Sequence, residues 1–373
     1  MERIAIVAIT KDGARTAMKL ADAFSQQVDV FISDRLSDVC IVEGSEKLKG
    51  FSFEIMDEGF LESSERIFRS YTKIVLLMAC GIAVRAFGPY ANDKTVDPAV
   101  VVADERGKHV ISLLSGHLGG ANELAKAVAA VTGGIPIITT ASDLKGFFAV
   151  DILAEKAAWH LKNIHEAGKV TAEMVDGEKA GILIEREALM LLPDTLVEEI
   201  LNGGYTIREV KSEEGLKGLG VLVYVGWKES REFEAFSGAK TWAVPKDLVL
   251  GIGCKKDTDQ ATIELAVKHA LAKAHLDMER VHFIATIGLK AQEPGLRDFA
   301  TREKLKIQIV SEEEVAKVEH LFAASEFVKQ AVGISSVAEP CAYLGSGKGT
   351  KILERQAENG VTVAIYRKKL EGN

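Results

Sequence analysis

Between Gly81 and Asp143 the chain reads GIAVRAFGPYANDKTVDPAVVVADERGKHVISLLSGHLGGANELAKAVAAVTGGIPIITTASD. Gly81–Phe87 has the spacing of a short helix. Pro98–Ala103 and His109–Leu113 are apolar strands. They flank Asp104-Glu105-Arg106-Gly107, which has the composition of a hairpin turn. Gly119–Val131 has helical periodicity and stops at Gly133-Gly134, and Ile135–Ile138 is a strand again. Polar residues gather where the apolar runs end. Alternation of strand and helix with polar turns predicts an α/β layer fold.

Working outward, Arg3–Thr10, Val28–Ser33 and Lys73–Ala79 are strands, with helices over Gly13–Phe24 and Leu61–Tyr71. A middle region carries helices over Ile152–Asn163 and Glu187–Asn202 and strands near Gly181–Glu185 and Val221–Val225. Its Gly-rich, charged connections hold no obvious chemistry, so it reads as a spacer or lid. Pro245-Lys246-Asp247 reads as a linker. Beyond it, strands at Leu248–Gly253, Val281–Ile287, Lys306–Val310 and Val361–Arg367 alternate with helices at Asp257–Ala274, Glu293–Lys304 and Ser325–Gly333. The expectation is a multidomain α/β protein. Two α/β sheet domains, 1–143 and 246–373, flank a smaller middle α/β domain, 144–245.

The 373 residues exceed one ordinary domain, and 47% apolar with 27% charged content is that of a soluble globular chain. A net charge of −8 argues against general nucleic-acid binding, and any anionic substrate must meet a locally basic pocket. The start, MERIAIVAIT, lacks the pattern of a signal peptide. The longest apolar run, Ile74 to Val84, is too short to cross a bilayer. Cys40, Cys80, Cys254 and Cys341 are scattered, which fits a reducing cytoplasm and neither disulfides nor a structural zinc site.

Several motifs offer chemistry, each with a plainer alternative. Ser115-Gly116-His117-Leu118-Gly119-Gly120-Ala121-Asn122 joins a strand to a helix. Its glycines permit close approach to backbone, and its first-turn N–H groups attract anions. His117 there is a candidate acid or base, or merely a helix cap. Arg85 follows an apolar run and is a candidate for a carboxylate or phosphate. Lys94 and Asp97 are candidate substrate contacts or a surface ion pair. Thr139, Thr140 and Asp143 close a strand, where ligands gather in open parallel sheets, or form a capping cluster.

In the last region, Gly251-Ile252-Gly253-Cys254-Lys255-Lys256-Asp257-Thr258 joins strand to helix. Lys256 stands where a dinucleotide-binding loop needs its third glycine, so that reading fails. Gly253 and Lys255 remain candidates for binding carboxylates. Cys254 at a helix start would have a lowered pKa, but a small buried thiol is the plainer reading. Lys290 and Glu293 are a candidate polar pair or an exposed ion pair. Glu339, inside an apolar stretch, is a candidate acid or a group tied to a helix end. Gly345-Ser346-Gly347-Lys348-Gly349-Thr350 fails the phosphate-loop pattern, and no zinc-protease or esterase motif is present.

Both ends of the chain also resemble a known family. The Gly81–Asp143 stretch, with LGIGCKKDT, ATIGLKAQEPGL, SSVAEPCAYL and VTVAIYR in the last region, resembles the cobalt-precorrin-5A hydrolases of anaerobic cobalamin synthesis. Ser142 replaces a threonine usual in that family, Arg355 a lysine, and Pro340 interrupts a stretch that is often small and apolar. The resemblance implies a cobalt-corrinoid substrate rich in carboxylates and carrying a δ-lactone. Water opens the lactone and acetaldehyde leaves. The cobalt is the substrate's own, so no metal site or other cofactor is expected. Such chemistry needs a base, an oxyanion site and groups that hold carboxylates. His117 is the first candidate for proton transfer, followed by Glu339 and Asp143. Arg85, Lys94, Asp97, Ser115, Gly116, Gly119, Gly120, Asn122, Thr139, Thr140, Gly253, Lys255, Lys290 and Glu293 are the candidate binding residues. The competing readings are a non-catalytic corrinoid carrier and, less well supported, a nucleotide-dependent oxidoreductase. The oligomeric state stays open, a homodimer being one option.

Overall fold

The structure is a computed structural model and describes residues 3–24, 26–36, 51–92, 96–116, 119–139, 146–210, 216–323 and 336–370. These residues form three separate α/β sheets. The chain divides into two compact units, Met1–Gly146 and Phe147–Asn373.

The first unit holds one sheet. Its strands are β1 (Arg3–Ala8), β2 (Gln27–Ser33), β3 (Phe51–Met56), β4 (Lys73–Leu77), β5 (Ala99–Ala103), β6 (His109–Leu114) and β7 (Ile135–Ile137), in the order β3-β2-β1-β4-β5-β6-β7. β1 to β5 are parallel. Strands buried on both faces read as unbroken apolar runs, and β4 and β5 are of that kind. The Asp104–Gly107 turn then reverses the chain, so β6 pairs antiparallel with β5. The Asp104 carboxylate accepts from Arg106 N, Lys108 N and His109 N. Burial pushes its pKa up, but these bonds outweigh that and hold it below the usual carboxylate range. Gly107 supplies the left-handed φ of +67° the turn requires. β7 runs parallel to β6 and so opposite to β1–β5. Helix Ala121–Thr132 stops at Gly133 with φ +76°, as the Gly-Gly pair predicts.

The second unit holds two sheets. One contains β8 (Trp159–Leu161), β9 (Ala180–Ile184), β10 (Thr206–Glu209), β11 (Val221–Val225) and β12 (Ala239–Pro245), in the order β10-β9-β11-β12-β8. The other contains β13 (Leu248–Cys254), β14 (Val281–Ile287), β15 (Lys306–Val310), β16 (Thr350–Glu358) and β17 (Val361–Arg367), in the order β15-β14-β13-β17-β16. β13, β14 and β15 are parallel, whereas β17 pairs antiparallel with β13. Helix Ala338–Gly345 packs against β13 so closely that a Cβ on Gly251 would overlap the Ala338 carbonyl.

Several element expectations need correction. The helix read over Ile152–Asn163 ends at Lys156; Ala158 takes a φ of +53°, which no helix continues through, and Trp159–Leu161 joins the sheet as β8. The helix over Glu187–Asn202 is two helices, Arg186–Leu189 and Asp194–Asn202. Pro193 lacks an N–H and breaks the hydrogen-bond ladder between them. The helix after β13 starts at Gln260 rather than Asp257, capped by the Asp259 carboxylate. The expected helix Ser325–Gly333 lies outside the described residues. Strands β3, β10, β12 and β16 and helices Ile164–Val175, Glu312–Val318 and Ala338–Gly345 were not anticipated.

Candidate functional site

The turn between β6 and helix Ala121–Thr132 is built from backbone. Ser115 takes a φ of +52° and its hydroxyl donates to Asp97 O at 3.0 Å. Ala121 N and Asn122 N donate to Ser115 O and Gly116 O at 3.1 and 3.0 Å, folding the chain on itself. Gly119 leaves no room for a side chain: a Cβ would overlap that of Ser115 and lie 2.9 Å from Ser115 O. Gly120 enters the helix at φ +82°. Asn122 is buried behind Gly116. Asp97, two residues before β5, holds the turn through its carbonyl, while its carboxylate accepts from Asn92 N at 2.9 Å.

Because β6 is reversed, this turn lies at the amino edge of β5. Leu114 pairs with Val100, and Gly119 sits against Ala99 N. Arg85 is at the other edge. It lies exposed on helix Cys80–Phe87, which starts past the carboxyl end of β4, and its guanidinium folds back to Gly81. Asp97, Ser115, Gly116, Gly119, Gly120 and Asn122 therefore come together, and Arg85 is not among them. Thr139 follows the carboxyl end of β7 and is exposed. Lys94, His117, Thr140 and Asp143 lie outside the described residues.

A second cluster occupies the carboxyl edge of β13 and β14. The Lys290–Glu293 pair, for which an exposed ion pair was one of two readings, is largely buried: Nζ and Oε1 are 3.0 Å apart and the side chains 14% and 9% exposed. Glu293 Oε2 also accepts from Asp257 N at 3.1 Å, tying the post-β13 loop to the start of helix Pro294–Arg302. Burial pushes the Glu293 carboxyl up, but Lys290 and the Asp257 N–H outweigh it and leave the pKa below the usual range. Lys255 is exposed over the β16–β17 turn, its N–H bonded to Gly360 O at 2.9 Å. Gly253 has space beside it, with Val337 Cβ 3.5 Å from where a Cβ would stand. Cys254 closes β13, and burial pushes its thiol pKa up, so the plainer reading of it holds.

Glu339 sits in the first turn of helix Ala338–Gly345 and is 5% exposed. Among the described residues it has no hydrogen bond or ion pair. Its charge is felt by Tyr366, whose phenol is pushed up to about 12 by burial first and then by Glu339 and Tyr343. The two rings are 6.0 Å apart, and neither was anticipated as a neighbour of Glu339. The Gly345–Thr350 segment follows this helix rather than preceding one, which removes phosphate-loop geometry from it. No group of three or more potential metal-ligating His, Cys, Asp or Glu side chains is present among the described residues. No described helix is long and apolar enough to cross a membrane.

A buried charged cluster around Asp247 has no counterpart among the sequence expectations. Asp247, read as linker, is fully buried. Its carboxylate pairs with Arg280 at 2.6 Å and Arg367 at 3.0 Å and accepts from Trp227 Nε1 at 3.3 Å. Both guanidinium groups also lie over the Trp227 ring, at 5.3 and 5.6 Å from its centroid. A lone Asp after Pro-Lys gives no sequence signal of partners as remote in the chain as Arg280 and Arg367.

Comparison with known proteins bears on both terminal regions. Residues 62–143 match the family profile "Cobalamin synthesis G N-terminal", and residues 248–366 match "Cobalamin synthesis G C-terminus". These matches, with the three sheets, define a multidomain α/β protein of the cobalamin-synthesis class. A cobalt-precorrin-5A hydrolase from Salmonella typhimurium is 34% identical over 98% of this chain and 97% of its own. One from Priestia megaterium is 31% identical over 97% and 94%. A solved cobalamin biosynthesis protein G homologue from Sulfolobus solfataricus aligns over 98% of this chain and 97% of its own, at 21% identity and a TM-score of 0.37. The chain belongs to the cobalt-precorrin-5A hydrolase family.

Proposed function

We propose that this protein is a hydrolase that opens the δ-lactone of cobalt-precorrin-5A and releases acetaldehyde, giving cobalt-precorrin-5B, in the cytoplasm of a cell making cobalamin anaerobically. The observation that carries the reading is 34% identity, over nearly all of both chains, to a relative bearing that enzyme's name. The cobalt enters and leaves as part of the substrate.

In this reading the polar work belongs to the first and third of the regions 1–143, 144–245 and 246–373. The turn Ser115–Asn122 offers glycine backbone and the N-terminus of a 12-residue helix to an anionic oxygen. His117, placed in sequence between Gly116 and Gly119, takes the proton from the attacking water. Arg85, Lys94 and Lys255 attract the carboxylate arms, and Lys290 with Glu293 holds the post-β13 loop to receive one. Glu339, without a hydrogen bond or ion pair among the described residues, is the second candidate for moving a proton, and Asp143 the third.

The test is incubation of the full chain with the lactone macrocycle and assay of acetaldehyde. Stoichiometric and then catalytic release is expected. Tight binding of the macrocycle without release would instead make the protein a carrier.

A further inference from the structure

The sheet β15-β14-β13-β17-β16 ends in two edge strands of opposite character. β16 is guarded. It carries Lys351, Glu354, Arg355 and Glu358, and its register against β17 shifts twice. Charges and bulges of this kind keep an edge from pairing with another chain. β15 is regular. It matches β14 residue for residue from Lys306 to Val310, and no strand lies on its other side among the described residues. Ile309 on this strand is 56% exposed. Leu289, on the short helix Gly288–Ala291, is 54% exposed beside it; Ile309 Cγ2 lies 3.8 Å from where a Cβ of Gly288 would stand. A regular edge with exposed apolar side chains is what admits a further strand.

The charges flanking β15 say which strand it admits. The segment reads Lys304-Leu305-Lys306-Ile307-Gln308-Ile309-Val310-Ser311-Glu312-Glu313-Glu314, basic before the apolar centre and acidic after it. Glu314 is engaged with Ser311 in the cap of helix Glu312–Val318. Lys304, Lys306, Glu312 and Glu313 are exposed and make no ion pair among the described residues. A second copy of the segment, laid antiparallel about Gln308, complements every one of these features. Ile309 meets Ile307 of the second copy on one face. On the other, Lys304 comes opposite Glu312 of the second copy, and Lys306 lies on the diagonal to the same carboxylate, within reach of a long side chain. Parallel pairing would instead set lysine beside lysine and glutamate beside glutamate. A slip by one residue would set Ile309 against Gln308 of the second copy and part the charges.

We propose that the outer edge of β15 is a self-association surface, at which two copies of this chain pair antiparallel about Gln308 and join their third-region sheets into one. Such a contact is isologous: each residue meets its partner twice across the twofold axis, and the pairing closes at two copies. It is also small. Two short strands and two apolar side chains a side fall at the low end of interface size, so the dimer is weak and dissociates at concentrations on the order of tens of micromolar. The inference goes beyond the proposed lactone chemistry and does not rest on it.

The experiment is sedimentation velocity of the full chain from about 1 to about 500 µM, in low and in high salt. A reversible monomer–dimer equilibrium is expected, weaker in high salt. Ile309→Lys, at an exposed position, should weaken it at least tenfold by setting a charge against Ile307 of the second copy. Lys304→Glu and Glu312→Lys should each weaken it by roughly tenfold, because each opposes like charges twice. The double variant reverses both ends and should regain most of the loss. Circular dichroism confirms that each variant is folded. A chain that stays monomeric throughout overturns the proposal and leaves the edge to a strand of some other protein. Species that grow beyond the dimer overturn it in favour of open-ended edge addition. A dimer indifferent to Ile309→Lys, or a double variant as weak as the single ones, overturns the pairing about Gln308. None of these outcomes depends on acetaldehyde release.

Discussion

The turn Ser115–Asn122 and the corner joining Gly253 to Glu293 hold polar groups at sheet edges by different means. In the first, the restraint is steric and backbone-borne. Ser115 is in the left-handed region, Gly119 has no room for a Cβ, and two backbone N–H groups close the loop. In the second, glycine is spatially undemanding and the restraint is an ion pair, Lys290–Glu293, anchored on the Asp257 N–H. A backbone-built turn tolerates no added carbon but is indifferent to charge. A side-chain-built corner has the reverse sensitivities. Mutations at matched positions should separate the two.

The largest effect is expected at Gly119. In Gly119→Ala the new Cβ meets Ser115, itself in a constrained conformation, and sits 3.3 Å from Ala99 N, so the strand cannot yield freely. Overpacking of this kind costs about 3 kcal/mol. Urea unfolding of the full chain should show it in the transition of the first unit; a loss under ~0.5 kcal/mol would mean the turn is softer than its geometry requires.

Next in size is His117→Ala, which tests whether the same turn carries chemistry. General acid–base assistance is worth about 10²–10⁴ in rate. Acetaldehyde release should slow at least ~100-fold while stability and macrocycle binding hold. Turnover near that of the wild type would move proton transfer to Glu339 or Asp143.

Lys290→Ala tests the second corner. It strands a carboxylate that is 9% exposed, though one bonded to a backbone N–H, and should cost about 2 kcal/mol. The pH dependence gives a second readout. The folded pKa of Glu293 is below its ordinary value, so its contribution is present above the unfolded pKa, about 4.3, and is lost as pH falls through the folded value. Lys290→Ala should weaken that acid-side loss. A variant whose stability falls with pH as steeply as the wild type would show that Lys290 does not depress Glu293.

Much of this architecture was legible from local pattern. β11, β14 and β17 fall where their apolar runs predict, because buried strands declare themselves by composition. The direction of β6 was legible too, since Asp104–Gly107 reads as a hairpin. Its consequence, that the Ser115 turn faces away from Arg85, needed the sheet order. Short strands such as Trp159–Leu161 carry too few residues to show a period. The burial of Lys290–Glu293 and the Asp247–Arg280–Arg367 cluster were not legible. Lys290 and Glu293 are local, but their burial depends on the loop after β13, and Asp247 meets arginines far along the chain. Periodicity does not report contacts of that range.

The smallest effect on stability, and the sharpest test of the contrast, is expected at Gly253. Gly253→Ala places a Cβ 3.5 Å from Val337 Cβ, an ordinary van der Waals distance, and Gly253 has no positive φ to lose. Its stability should change by less than ~0.5 kcal/mol, against the much larger loss at Gly119. Glycine is then not required at 253 by the fold. If Gly253→Ala nevertheless weakens macrocycle binding by about tenfold, the added methyl must be meeting the ligand, since no described residue opposes it. Isothermal titration with the macrocycle decides the point. Unchanged affinity would withdraw Gly253 from the binding residues and leave Lys255 and the Lys290–Glu293 pair to hold that corner alone. Lost stability would show instead that helix Ala338–Gly345 packs more tightly on β13 than the Val337 distance implies, and the two turns would then be alike in their intolerance of a side chain.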